Sequence, residues 1–163
     1  MTLLIARGSL DDVPQTDALI RATADWLIKK GEPLWGPNET SLDELVRVTE
    51  AGELIVGRVK GVLATCMYLH DEDRLFWPHV SRGEAFYIHR LAVARDFAGR
   101  GYAHVMLDWA AQEARNNGRP FLRLDCEPRA KLLALYARAG YSRVDPKPIQ
   151  VGEHFVVRHE RRV

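Results

Sequence analysis

The segment from Leu91 to Met106 holds the residues best suited to binding a phosphorylated ligand. Leu91, Ala92 and Val93 read as the end of a strand. They lead through Ala98-Gly99-Arg100-Gly101-Tyr102-Ala103 into a helical pattern. Small residues let a backbone approach a ligand closely, and a helix start presents unpaired N–H groups with partial positive charge. Arg95 and Arg100 would add charge-assisted contacts to a phosphate. The spacing is not that of a mononucleotide P-loop, since no Walker lysine follows. His104 stands where a dinucleotide fingerprint needs its third glycine. A strand–turn–helix joint whose glycines serve geometry alone fits these residues equally well.

Two further groups carry titratable side chains. In EAFYIHRLAV, alternation along a strand puts Tyr87 and His89 on one face and Phe86, Ile88 and Arg90 on the other. A histidine titrates near neutral pH and suits proton transfer; a hydrogen-bonded structural histidine is the alternative. Farther on, the strand-like PFLRLDCE precedes the helical PRAKLLALYARAG, which places Tyr136 one turn before a stopping Gly140. His70, His104, His154 and His159 show no H-x-x-x-H or carboxylate spacing, so no metal is expected.

The elements that must position these residues follow from pattern and punctuation. A short apolar run over Leu3–Arg7 predicts a first strand. Ser9 or Asp11 then caps a helix whose apolar positions Leu19, Ile20, Ala24, Leu27 and Ile28 recur up to Gly31. GEPLWGPNE is a loop carrying Trp35, and Ser41 with Glu44 forms a capping box for a second helix ending near Gly52. ELIVGRVKG and VLATCMYLH predict an antiparallel hairpin around Gly61, and the loop HDEDRLFWPHVSRG precedes the strand of Tyr87. Tyr102, Val105, Met106, Trp109 and Ala110 make a helical stripe ending at Gly118. YSRV and HFVVRHE close the chain as strands. The order β-α-α-β-β-β-α-β-α-β-β predicts a mixed α/β or α+β domain.

Composition narrows the class. The 163 residues include 23 basic and 22 acidic side chains, and 47% are apolar, which suits one compact domain over 1–163. A net charge of +1 offers no basic excess for nucleic acid. Cys66 and Cys126 match neither a disulfide framework nor a thiolate zinc site and read as reduced, buried small hydrophobes. The N-terminal apolar run is too short for a secretory signal, and Val62–Leu69 is too short to span a bilayer. A soluble, cytoplasmic protein with no membrane association is expected.

In sequence, HRLAVARDFAGRGYAHVML and LRLDCEPRAKLLALYARAGY resemble the GNAT superfamily of acyl-CoA-dependent N-acyltransferases, and the resemblance covers nearly the whole chain. The family's pyrophosphate loop, [RQ]-x-x-G-x-[GA], falls on Ala98-x-x-Gly101-x-Ala103. Its LYxxxGF signature falls on Leu135-Tyr136 through Gly140-Tyr141. Two positions depart from the pattern: Ala98 replaces the usual Arg or Gln, and Arg129 stands where Asn is frequent.

The resemblance implies a central, mostly antiparallel sheet with splayed central strands flanked by helices, and acetyl-CoA as cosubstrate. It implies that backbone groups of Leu91, Ala92 and Val93 pair with the pantetheine amides, one N–H polarising the thioester carbonyl. Ala98, Gly99, Arg100, Gly101, Tyr102 and Ala103 would receive the pyrophosphate through backbone N–H groups. Arg129 would serve the adenine or phosphate end. Tyr136 matches the general acid beside the departing sulfur, with an aromatic that only lines the cofactor as the alternative. For the base, the resemblance points to Glu84 or His89, with Tyr87 orienting a water; a water chain without a dedicated base is the third option.

The same resemblance places the acceptor pocket on the first two helices, their loop and the loop before the bulged strand. Trp26, Trp35, Phe76, Trp77 and His79 lie there, and Asp71, Glu72 and Asp73 would attract a cation or simply form a solvated turn. A small-molecule amine is the expected acceptor. Peptide N-termini or lysines, and an acyl-CoA-binding sensor without catalysis, are the competing readings. Family members are often dimers, and the last strand reads as an edge open to pairing in a homodimer.

Overall fold

A computed structural model describes residues 1–163, which divide into two compact units. The first comprises Met1–Tyr68 and Arg90–Met106, the second Leu69–His89 and Leu107–Val163.

In the first unit, β1 (Leu4–Arg7) precedes α1 (Val13–Lys29) and α2 (Leu42–Glu50). A single 3-10 turn at Leu10–Asp12 intervenes, so Ser9 caps that turn and Asp12, not Ser9 or Asp11, is the N-cap of α1. Pro14 at its start has no N–H to lose, and Gly31 at φ 73° follows its end. Ser41 Oγ accepts the Glu44 N–H at 3.4 Å and caps α2 as its sequence predicts.

Next, β2 (Leu54–Val59) pairs antiparallel with β1 and with β3 (Val62–His70). Lys60 and Gly61, both at positive φ, make the tight turn. The apolar faces of α1 and α2 meet these strands in one core: Leu19, Ile20, Leu45, Val48, Leu54, Val56, Leu63, Cys66, Tyr68 and Ala92 are buried together. The final residues of β4 (Ala85–Val93) and the start of α3 (Tyr102–Asn116) also belong here.

In the second unit, the first half of β4 runs parallel to β5 (Phe121–Cys126), from Ala85↔Phe121 to Tyr87↔Arg123. After α4 (Ala130–Arg138) come β6 (Ser142–Arg143), β7 (Ile149–Val151) and β8 (His154–Arg162). β5–β8, β6–β8 and β7–β8 are all antiparallel. The arrangement is the mixed α/β class that the element order predicts, with the mostly antiparallel pairing that the family resemblance implies.

Three expectations change. The strand β7 has no counterpart in the sequence reading. Val105 is exposed, and the buried stripe of α3 runs through Tyr102, Met106, Ala110 and Ala114. β8 is not an open edge: β5 occupies one side, and β6 and β7 pair with it as well. A homodimer through that strand therefore has no free ladder to use. No helix is long and apolar enough to cross a membrane.

Candidate functional site

The candidate phosphate loop, Ala98–Ala103, lies wholly in the first unit. Arg95–Phe97 form a 3-10 turn, Gly99 and Gly101 follow at φ 74° and 79°, and α3 starts at Tyr102. These left-handed conformations explain both glycines, because a Cβ there is strained. A Cβ at either position would meet nothing within 4 Å, so this backbone faces open space. Gly101 O receives the His104 and Val105 N–H groups, which leaves the amides of Tyr102 and Ala103 ahead of the helical ladder.

Several side chains of the loop turn away from that role. Ala98 N–H, expected to contact phosphate, instead donates to Arg95 O at 3.1 Å and closes the 3-10 turn. The Tyr102 ring is buried among Val59, Ala64 and Phe97, with its hydroxyl donating to Met1 O, which leaves only its backbone for the expected role. Arg100 donates to Asp96 O, and Arg95 stacks on Trp26 at 3.7 Å with Lys30 at 4.5 Å from the same ring.

Upstream, Arg90 adopts φ 51°, which interrupts the pleat of β4 in the strand where the resemblance implies a bulge. Its guanidinium donates to Glu39 O at 2.7 Å and lies 5.8 Å from the Trp35 ring, tying the α1–α2 loop to this point of β4. Ala94 N–H donates to Ala64 O, and Ala92 O accepts the Thr65 hydroxyl at 2.7 Å. By the alternation of a strand, Ala92 is therefore turned toward β3. Leu91 and Val93 aim their amides and carbonyls at the opposite edge. Of the three residues expected to pair with pantetheine, these two keep that capacity.

The second unit holds the candidates for proton transfer. Pairing between β4 and β5 ends at Tyr87↔Arg123 although both strands continue. His89 lies past that point with Nε2 2.9 Å from Asp73 Oδ2 and Nδ1 4.0 Å from Asp125 Oδ1. Burial pulls the Asp73 carboxyl upward, but hydrogen bonds from His89 and from the Phe76 and Leu75 amides leave it below its ordinary value. Asp73, His89 and Asp125 present ligand-type atoms within 4.8 Å of one another, the first two in direct hydrogen-bond contact. Asp73 stands out in the sequence only as part of an acidic run and Asp125 not at all, because each meets His89 only through tertiary folding.

Glu84 and Tyr87 are committed elsewhere. Arg123, 5% exposed, donates to Glu160 at 2.7 Å, Glu84 at 3.1 Å and the Tyr87 hydroxyl at 3.4 Å. Glu84, expected as a base candidate, is thus ion-paired, and Tyr87, expected to orient a water, is buried with its hydroxyl held by Arg123. Trp77 is also buried, with Arg123 and Arg158 about its ring at 4.9 and 5.0 Å. Trp77 and Tyr87 line a small recess of about 50 Å³ together with Asp71, Glu72 and Asp73. The acidic run is neutralised locally: Asp71 binds Arg82 and Arg119, Glu72 binds Arg74, and Asp73 binds His89. His79 is exposed. Arg129 caps α4, its guanidinium held by Glu127 at 2.6 Å.

Tyr136 sits on the inner face of α4 against Tyr141 and His159, with ring centroids 5.8 and 5.7 Å away. Burial, helped by Cys126 and Asp125, holds its phenol well above the ordinary value, so the proton stays on at neutral pH. Burial also pushes the Cys126 thiol up to about 12, which keeps it protonated beside His159.

His159 is 2% exposed and donates from Nδ1 to Val157 O at 3.1 Å. Burial lowers its pKa, outweighing that hydrogen bond; Arg143 lowers it further and Asp145 opposes. In the unfolded chain the ring titrates near 6.5, so as pH falls the unfolded state takes up the proton first. The stability supplied by the neutral ring is complete above about pH 6.5 and is lost progressively below it. Urea unfolding should show a falling midpoint from pH 7 to pH 5, and His159→Gln should flatten that dependence. An unchanged slope in the variant would assign the acid sensitivity elsewhere.

The sequence profile of the Acetyltransferase (GNAT) family matches residues 18–141. An uncharacterized N-acetyltransferase, YesJ of Bacillus subtilis, is 30% identical over 138 residues, covering 80% of this chain and 77% of that protein. A GNAT-family acetyltransferase structure from Listeria monocytogenes superposes with a TM-score of 0.84 at 22% identity, over 99% of this chain and 95% of that one. YncA of Salmonella typhimurium, a structure with its cofactor acetyl-CoA, gives 0.74 at 15% identity, over 99% and 94%. The chain belongs to the GNAT family of acetyltransferases and is an acyltransferase.

Proposed function

We propose that the chain transfers the acetyl group of acetyl-CoA to a primary amine of a small molecule by direct attack, with both substrates bound together. The backbone of Gly99–Ala103 at the start of α3 carries this reading, because two left-handed glycines facing open space, followed by helix-start amides outside the helical ladder, fit a pyrophosphate. Acetyl-CoA supplies the activated thioester. The chain's own residues do the rest: the amides of Gly99 through Ala103 hold phosphate, and backbone groups of Leu91 and Val93 hold the pantetheine arm. An N–H of that same strand polarises the carbonyl as negative charge develops on it.

His89 removes the proton from the attacking amine, and Tyr136 gives a proton to the departing thiolate. The near-neutral surface charge favours a small amine over a basic peptide. The recess edged by Trp77, beside the exposed His79, offers aromatic surface to the acceptor.

Calorimetric titration with acetyl-CoA tests the loop. Gly101→Val places a β-branched residue at positive φ, and its relief withdraws the helix-start amides. An affinity loss of about tenfold or more, near 1.4 kcal/mol, is expected without loss of fold. Release of CoA thiol with a panel of small primary amines then tests transfer. Tight binding with no amine-dependent release would make the protein a sensor of acyl-CoA, and no binding would remove the loop from the reading.

A further inference from the structure

The carboxylate of Asp73 is divided between two tasks. Its Oδ1 accepts the backbone N–H groups of Leu75 and Phe76 at 3.1 and 3.0 Å, which fixes the turn after β3 and the orientation of the carboxylate. Its Oδ2 lies 2.9 Å from Nε2 of His89. A carboxylate without a proton can only accept, and Asp73 is held below its ordinary pKa, so the proton of this contact belongs to the ring. Nδ1 faces Asp125 Oδ1 at 4.0 Å, beyond a direct hydrogen bond. The other groups near the ring are His70, at 5.3 Å between centroids, and Phe76 at 6.4 Å.

We propose that Asp73 is the positioning residue for His89. It fixes the Nε2–H tautomer, so that Nδ1 carries the lone pair that takes the acceptor amine's proton. The inference rests on the reading of His89 as the base and extends it to a residue in a different element. As the amine loses its proton, Nδ1 gains one, and the fixed charge of Asp73 stabilises the resulting imidazolium through Nε2–H. The turn amides prevent the carboxylate from following the proton, so the ring keeps its orientation through the cycle. The device is local to this chain's turn at Asp73–Phe76, where a loop side chain reaches back to the strand.

The test compares His89→Ala and Asp73→Asn with the wild-type protein, using CoA release from acetyl-CoA and the best amine. Asn still offers an oxygen to the Leu75 and Phe76 amides, so the turn and the thermal midpoint should persist. His89→Ala is expected to lower kcat by about 100-fold. Asp73→Asn should lower kcat/KM for the amine by about tenfold and leave acetyl-CoA binding unchanged. The acid limb of its pH profile should also move to lower pH, because a charge that favours imidazolium has gone while Asp125 and His70 remain. In the wild-type protein, imidazole ¹⁵N shifts at high pH should report Nε2–H and a bare Nδ1.

Loss of activity in His89→Ala with a normal rate and pH limb in Asp73→Asn overturns the positioning role alone. Full activity in His89→Ala overturns the base reading, and the positioning role with it. An Nδ1–H tautomer in the wild-type spectrum overturns the proposal whether or not any variant folds.

Discussion

Tyr136→Phe is expected to lower kcat by about 100- to 1,000-fold while leaving the affinity for acetyl-CoA within a factor of about two. The substitution removes one oxygen and keeps the ring, so the edge contact with Tyr141 and the tilted contact with His159 survive. Tyr136 is 9% exposed, and burial raises its phenol pKa, so the proton stays on at neutral pH. That condition is what a donor to a departing thiolate needs: a group that is protonated before the bond breaks. Stopped-flow or steady-state CoA release, read beside a titration with acetyl-CoA, separates the chemical step from binding. An unchanged kcat would reduce Tyr136 to an aromatic wall and pass proton donation to water. The pH profile supplies a second check, since no alkaline loss of activity should come from this phenol below about pH 10.

What the sequence made legible, and what it did not, divides along physical lines. Gly99, Gly101 and the start of α3 are local features, because a glycine at positive φ followed by a helical apolar stripe needs no tertiary information. Tyr136 was legible through its spacing from Gly140 and Tyr141. Arg90 was not: its left-handed backbone is held by Glu39 and by the pairing around Ala92, and nothing in an arginine announces that conformation. The loss of the Ala98 amide to Arg95 arises from a three-residue turn too short to leave a period. Asp73 and Asp125 read as members of a polar loop and a strand, and only folding brings them to His89. Likewise β7 is three residues long, and its pairing with β8 depends on the return of the chain at Gly152.

The largest stability effect is expected at Arg123, which sequence alone would assign to a strand with one polar face. Its side chain is 6% exposed and binds two carboxylates and a phenol while stacking over Trp77 and Phe121 at 4.9 and 5.1 Å. Arg123→Ala opens a void beside two aromatic rings and leaves Glu84 and Glu160 facing each other without a cation. Breaking a buried pair costs about 3–5 kcal/mol, but Glu84 and Glu160 keep 37% and 28% of their side-chain surface and recover part of their hydration. A loss of about 2–4 kcal/mol follows, and at this chain length roughly 2–4 °C of Tm per kcal/mol. Arg123→Lys should recover little, because one ammonium cannot replace the planar fork that meets Glu160 through Nε and Glu84 through a terminal nitrogen. Arg123→Met combined with Glu84→Gln and Glu160→Gln should recover more than Lys does, since it restores volume and removes the stranded charges together. Thermal and urea unfolding of these variants decide the order. A triple variant less stable than Arg123→Ala would mean that the charges themselves, not the packing and the desolvated partners, hold this part of the second unit.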